Sequence, residues 1–309
     1  MSEENMEQRN DQVSQSETTG SSIGGERTPI EQMAETARVT ATQAAESFRR
    51  GEFLNNAIND PDAKNAVNWS MNQEMIREFE RIENDPKARA MIITGSGRIF
   101  CSGGNIKRMT AEGKSLEPPD PTLREELFPQ EADIRGVVTG LRRMSKPAIA
   151  AVNGPAIGSG IGIAVGCDIR IASTSSRFGW VFVRRGIVPD DASLALMPQI
   201  IGYARAYEWG VTGRTIDAQA ALKIGFVSEV VEPDQLLPHC RKIAIEIIQN
   251  CPPLTVQAFK YALAESLYQD LDTAVRFTER AQRVVRASQD HAEALKAYAE
   301  KRTPVWKGK

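Results

Sequence analysis

Histidine and cysteine are scarce in this chain, with two and four among 309 residues. His239 and His291 stand apart, and Cys101, Cys167, Cys240 and Cys251 form no short metal-type spacing. No zinc site and no disulfide framework is expected from that pattern. The expectation is reduced thiols, packed as small apolar side chains, in a cytoplasmic protein. A dominant charge is lacking too. With 38 basic and 40 acidic side chains the formal net charge is −2. That offers no electrostatic case for nucleic acid or an anionic membrane as partner. No apolar run approaches the roughly 20 residues that span a bilayer. The stretch Pro147–Val165 is interrupted by Asn153 and several glycines, so it reads as a strand and a packed helix. The opening MSEENMEQRNDQ has no apolar segment of a secretory signal, and TPVWKGK is not a peroxisomal address.

The length allows one large domain or two modest ones. Residues 1–28 are polar and poor in large apolar side chains, which predicts a disordered extension. A helix is expected over 29–50, and 29–215 reads as the core of the fold, with 216–309 as a helical region. Within the core, strands are expected at 53–58, 90–94, 147–152 and 169–173. Met71, Met75, Phe79 and Ile82 share one face of a helix that Asn84-Asp85-Pro86 ends, and 134–144 is helical again. Residues 110–130, with four prolines, read as a surface loop or lid. Helices are expected at 217–223, 233–250, 253–266 and 270–300, the last capped by Asp270. Strand, turn and helix repeat, which points to an α/β layout with right-handed crossovers.

Two turns carry most of the chemistry. One is Phe100-Cys101-Ser102-Gly103-Gly104-Asn105-Ile106-Lys107; the other, NGPAIGSGIGIAVGCD, runs from Asn153 to Asp168. Each puts small residues between an apolar strand and a helical segment. Two such turns meeting in space can aim two backbone N–H groups at one oxygen, an oxyanion hole suited to a thioester carbonyl. A lone glycine-rich loop would be no more than a tight turn.

Five blocks in order give the chain a resemblance to the crotonase (enoyl-CoA hydratase/isomerase) superfamily: INDPDAKNAVN, DPKARAMIITGSGRIFCSGGNIKRM, KPAIAAVNGPAIGSGIGIAVGCDIRIAS, FGWVFVRRGIVPDDAS and ALKIGFVSEVV. The resemblance covers about residues 53–270. It implies an α/β fold, a crotonase-like spiral of ββα units with a C-terminal helical oligomerisation region, assembled as a homotrimer or dimer of trimers. It implies an acyl-CoA thioester as substrate, with coenzyme A as part of it and no separate cofactor. By position, the oxyanion donors would be the N–H groups of Gly104 and Ser159, with Gly158 beside them. Ser102 and Lys107 would lie near the adenine and phosphates, and Arg49 or Arg50 could also reach those phosphates.

The chain also departs from the family pattern. Hydratases of the family hold water between two glutamates; those positions are Gly162 and Phe182 here. In GIVPDDAS, Asp190 falls where Δ3,Δ2-enoyl-CoA isomerases carry their single glutamate, and where dienoyl-CoA isomerases and chlorobenzoyl-CoA dehalogenases carry an aspartate. The dehalogenase chemistry also wants a histidine within 134–146 and a tryptophan at 182, and both are missing. One carboxylate suffices to move a proton along an enoyl thioester. An apolar surround of Trp180, Phe182, Ile187 and Val188 is expected to raise the Asp190 pKa. Trp180 and Phe182 read as acyl-pocket wall, Asp191 as a substrate-binding residue next to Asp190, and Asp190 or Asp191 alternatively as a cap for a helix beginning near Ala192. Arg184 and Arg185 read as paired or solvated. Three activities stay open: double-bond isomerisation through Asp190, hydration or hydrolysis with Asp190 activating water, and silent binding of a CoA thioester.

Overall fold

Residues 54–104 and 134–308 are described by the computed structural model. The expected extension, the 29–50 helix, the 110–130 loop, Arg49, Arg50 and Lys107 lie outside them. Among the described residues there are eight strands: β1 (Leu54–Ile58), β2 (Met91–Gly95), β3 (Ala148–Val152), β4 (Ala156–Ile157), β5 (Ile169–Ser173), β6 (Arg177–Gly179), β7 (Thr215–Asp217) and β8 (Glu229–Val231). The helices are α1 (Trp69–Asn84), α2 (Ile134–Arg143), α3 (Ser159–Gly166), α4 (Ser193–Ile201), α5 (Tyr203–Thr212), α6 (Ala218–Lys223), α7 (Leu236–Asn250), α8 (Pro253–Ser266), α9 (Leu271–Arg286) and α10 (Gln289–Glu300).

The main sheet runs β1-β2-β3-β5-β8 with every neighbour parallel. Its central strand β3 is buried at all five positions, as a strand covered on both faces must be. Alternation divides the side chains between two cores. Met91, Ile93, Ala148, Ala150 and Val152 join the larger core with α1, α2 and α3, while Ile92, Ile149, Ala151 and Ile171 face Leu236, Cys240 and Ala244 of α7. A second sheet, β4-β6-β7, is parallel at β4–β6 and antiparallel at β6–β7. Residues on both sides of the 215/216 boundary share β7.

Local chemistry explains the helix limits. Asn68 caps α1 by accepting from Met71 N–H, and Asp217 and Asp270 do the same for α6 and α9. The expected 270–300 helix is two helices, because Ser288 caps a new one by accepting from His291 N–H at 3.0 Å. The helix near Ala192 starts at Ser193. Its cap is Ala192 itself, left-handed at φ 64°, with no side-chain cap bond. Neither aspartate stands at the cap position. Helix α5, which the residue spacing does not predict, buries Ala206 and Trp209.

All four cysteines are free, and Cys101, Cys167 and Cys240 are buried. No helix among the described residues is long and apolar enough to cross a membrane.

Candidate active site

Both glycine turns leave the carboxyl ends of neighbouring parallel strands, β2 and β3. Amide side chains hold them. Asn153 donates to the carbonyls of Gly95 and Gly97, each at 2.9 Å, and accepts from Gly95 N–H at 3.1 Å. Asn65, fully buried, donates to Ser96 O and Ile99 O. The spacing of the motifs does not single out Asn65; its signal is only an asparagine in the turn before α1.

The turns then zip together. Pro155 O accepts from the N–H groups of Phe100 and Cys101, and Ile157 N–H donates to Cys101 O at 2.9 Å. A Cβ on Gly103 would stand 2.8 Å from Ile157 O, and one on Gly158 would stand 3.8 Å from Gly103 Cα. Gly103 also has φ 95° and Gly158 φ 53°, so the backbone conformation disfavours a side chain at both, and the close approach to Ile157 O disfavours one at Gly103 as well. Gly104 and Ser159 each follow one of these two touching glycines. No hydrogen bond among the described residues uses the N–H of Gly104 or of Ser159. Gly158 N–H, by contrast, donates to Gly179 O at 2.9 Å, so Gly158 supplies the close approach and not a donor. Ser159 is the first residue of α3, where an N–H lacks an intrahelical partner and the helix dipole is positive. Helix α3 is wholly buried and carries no charged side chain. Ser102 sits half-buried beside these donors, its N–H bonded to Lys64 O at 3.2 Å.

The two carboxyls of the GIVPDDAS segment have opposite surroundings. Asp190 is exposed and Asp191 is 0 % exposed. Ile187 and Val188, expected to wall Asp190, are 54 % and 68 % exposed, so the burial expected of Asp190 is found at Asp191 instead. Asp191 Oδ1 accepts from Ser193 N–H at 3.1 Å, and its Oδ2 has no partner. Burial pushes this carboxyl up from its ordinary value; the Ser193 hydrogen bonds oppose that, and the neighbouring Asp190 charge adds to it. An ideal Cβ on Gly162 would lie 2.2 Å from Asp191 Oδ2. The missing side chain at 162 therefore makes the room that the loop carboxyl fills, a relation no local sequence signal announces.

Trp180 and Phe182 are buried and line an apolar cavity of about 370 Å³, with Val188, Leu194, Tyr203 and Tyr207 among its other walls. Gly104, Ser159, Asp190 and Asp191 do not line it. Trp180 also donates from Nε1 to Ser193 Oγ at 2.9 Å, tying β6 to the start of α4. Phe182 opens a short 3₁₀ helix, Phe182–Arg185. Arg184 donates to Thr212 O at 2.8 Å, while Arg185 is exposed. Among the described residues, no group of three His, Cys, Asp or Glu side chains could hold a metal ion.

Residues 54–309 match the family described as enoyl-CoA hydratase/isomerase. The chain is 35 % identical over 259 residues to the short-chain-enoyl-CoA hydratase of Clostridium acetobutylicum, covering 82 % of this chain and 94 % of that one. It is 32 % identical over 252 residues to the (E)-benzylidenesuccinyl-CoA hydratase of Thauera aromatica, covering 81 % and 94 %. The crystal structure of an enoyl-CoA hydratase from Bacillus anthracis superposes with a TM-score of 0.74 at 30 % identity, covering 82 % of this chain and 94 % of that one.

Proposed function

The chain belongs to the enoyl-CoA hydratase/isomerase family, and from that premise we propose that it shifts a carbon–carbon double bond within an acyl-CoA thioester, with Asp190 as the single proton carrier. The observation that carries the reading is the contact of Gly103 with Gly158, which sets two N–H groups without a partner among the described residues, those of Gly104 and Ser159, on adjoining backbone. Donors aimed where charge develops are worth about 10²–10³ in rate each.

In this reading Asp190 takes a proton from C2 of a 3-enoyl thioester. The electron pair moves into the carbonyl, and the resulting dienolate oxygen is held by the Gly104 and Ser159 N–H groups. Asp190 returns the proton at C4, leaving the double bond between C2 and C3. Substrate and product are isomers, and the base is regenerated. The absence of carboxylates at Gly162 and Phe182 favours this one-carboxylate route over water held between two glutamates. Ser102 and Lys107 serve the coenzyme A moiety. Trp180 and Phe182 bound the acyl side of the loop. Hydration, with Asp190 activating water, is the second reading; it is favoured by the relatives that carry hydratase names.

The assembly proposed is a homotrimer or a dimer of trimers in the cytoplasm. In its support, α8 and α9 have no buried residue yet carry exposed Phe259, Leu263, Leu271 and Val275. The test is a 3-enoyl-CoA assay that follows the absorbance of the conjugated thioester, with Asp190→Asn alongside. Activity that falls by about 10²–10⁴ in the variant is expected. No turnover despite thioester binding overturns isomerisation, and a fully active Asn variant removes Asp190 as the carrier.

A further inference from the structure

Asp191 has no task in the reaction just described, and its setting differs from that of the other fully buried acid among the described residues. Asp290 accepts two backbone N–H groups, from Lys307 at 2.6 Å and Gly308 at 2.8 Å. Asp191 accepts only one backbone N–H, that of Ser193, whose hydroxyl also favours its charged form, and its Oδ2 is sealed from solvent without a partner. A carboxylate so placed would pay heavily in lost hydration, whereas a carboxylic acid would not. The carboxyl lies against the backbone of Gly162, with Oδ2 2.2 Å and Cγ 2.8 Å from where a Cβ would be. Gly162 is three residues into α3 from Ser159, so this contact joins the Asp190–Asp191 loop to the helix that bears one oxyanion donor.

The loop is pinned on its other side as well. Ser193 N–H donates to Asp191 Oδ1, and Ser193 Oγ accepts from the Trp180 indole. Between these anchors Ala192 is left-handed at φ 64°. That conformation is uncommon for an L-residue other than glycine and persists where surrounding contacts over-determine it.

We propose that Asp191 is a positioning residue: as a carboxylic acid seated on Gly162, it ties the Asp190–Asp191 loop to the helix that begins at the Ser159 donor. The proposal rests on the reading of Asp190 as proton carrier. No charged group faces Asp191 from α3 (Ser159–Gly166) or α4 (Ser193–Ile201), whose described residues carry none, and the loop contributes only Asp190. Removing the Asp191 proton would put two adjacent negative charges on the loop, one of them buried, and the pinned geometry would be lost. The rate should therefore fall on an alkaline limb as Asp191 loses its proton, at a pH raised by its burial.

Three measurements test this. In the isomerase assay, Asp191→Asn should cost less than about tenfold in kcat at neutral pH, far below the general acid–base loss expected of Asp190→Asn, and should remove the alkaline limb. A loss as large as that of Asp190→Asn, or an unchanged alkaline limb, overturns the proposal. Ser193→Ala removes the hydroxyl hydrogen bond that favours the charged form of Asp191, so it should move the alkaline limb to higher pH; a limb that stays or moves down overturns it. Independently of any turnover, the infrared spectrum of the wild-type protein at neutral pH should contain a protonated-carboxyl stretch that Asp191→Asn lacks. Absence of that difference sinks the positioning role. Its presence without isomerase activity sinks only the assigned reaction.

Discussion

Replacing Gly160 with alanine probes the oxyanion geometry without touching either donor. Gly160 lies one residue past Ser159 in α3, and a Cβ there would stand 2.5 Å from Cys101 O and 3.0 Å from Cys101 Cβ. Cys101 O is backbone and already accepts from Ile157 N–H at 2.9 Å, so it cannot rotate away as a flexible side chain could. To restore an ordinary 3.4 Å contact the helix and the turn must part by roughly 0.9 Å. Overpacking of this kind costs about 1–3 kcal/mol. Against it stands up to about 1 kcal/mol from the better helix propensity of alanine. The net loss of stability is then between about 0 and about 3 kcal/mol, and the protein stays folded. Rate should suffer more than stability, since misplacing catalytic groups by about 1 Å can cost about 10²-fold. The assay is kcat and KM on a 3-enoyl-CoA, with a urea titration of the same protein. The expected result is kcat lowered about 10²-fold with KM little changed, because the donors act most strongly on the charged intermediate. A Gly160→Ala enzyme with wild-type kcat refutes the argument that the touching turns place the donors.

Further outcomes follow from other contacts. Burial holds Asp191 above its ordinary value, so the native state binds more protons than the unfolded chain between the ordinary and the raised pKa, and stability falls as pH rises through that window. Asp191→Asn lacks that loss, so its urea midpoint should gain on the wild type with rising pH; a constant difference contradicts the buried-acid assignment. Lys260 Nζ donates to Leu141 O at 3.1 Å, Lys146 O at 3.0 Å and Asp168 Oδ2 at 2.8 Å, joining α8 to α2 and the start of β5. Lys260→Met should cost about 1–3 kcal/mol in urea unfolding, discounted because Asp168 is partly exposed and keeps Ala148 N–H. Burial pushes the Cys101 thiol up to about 11, so a thiol reagent should label the half-buried Cys251 first and reach Cys101 only on unfolding. Rapid labelling of Cys101 in the native protein would show that the turn opens.

Four strands, β1, β2, β3 and β5, were legible because each is a five-residue run with its own signature, whereas β4, β6, β7 and β8, of two or three residues each, are too short to show one. AIAAV is apolar at every position, and only a strand covered on both faces has a use for that. The two glycine turns were legible for the same local reason, small residues where a strand gives way to a helix. The break at Ser288 was less so, since the apolar pattern continues across it and only the cap bond to His291 N–H marks the new helix. Helix α5 hides because its buried face is thin, with only Ala206 and Trp209 inward and two tyrosines outside.

By itself, then, the sequence determined the layout of parallel strands, the pair of glycine turns and the lack of glutamates at 162 and 182. These depend on residue size, polarity and short-range order along the chain. Tertiary structure alone decided which of two adjacent aspartates is buried. Asp190 and Asp191 are the same residue one position apart, and no local rule separates them. What separates them is the space left by Gly162, 29 positions back in the chain on another element, which admits one carboxyl and seals it from water.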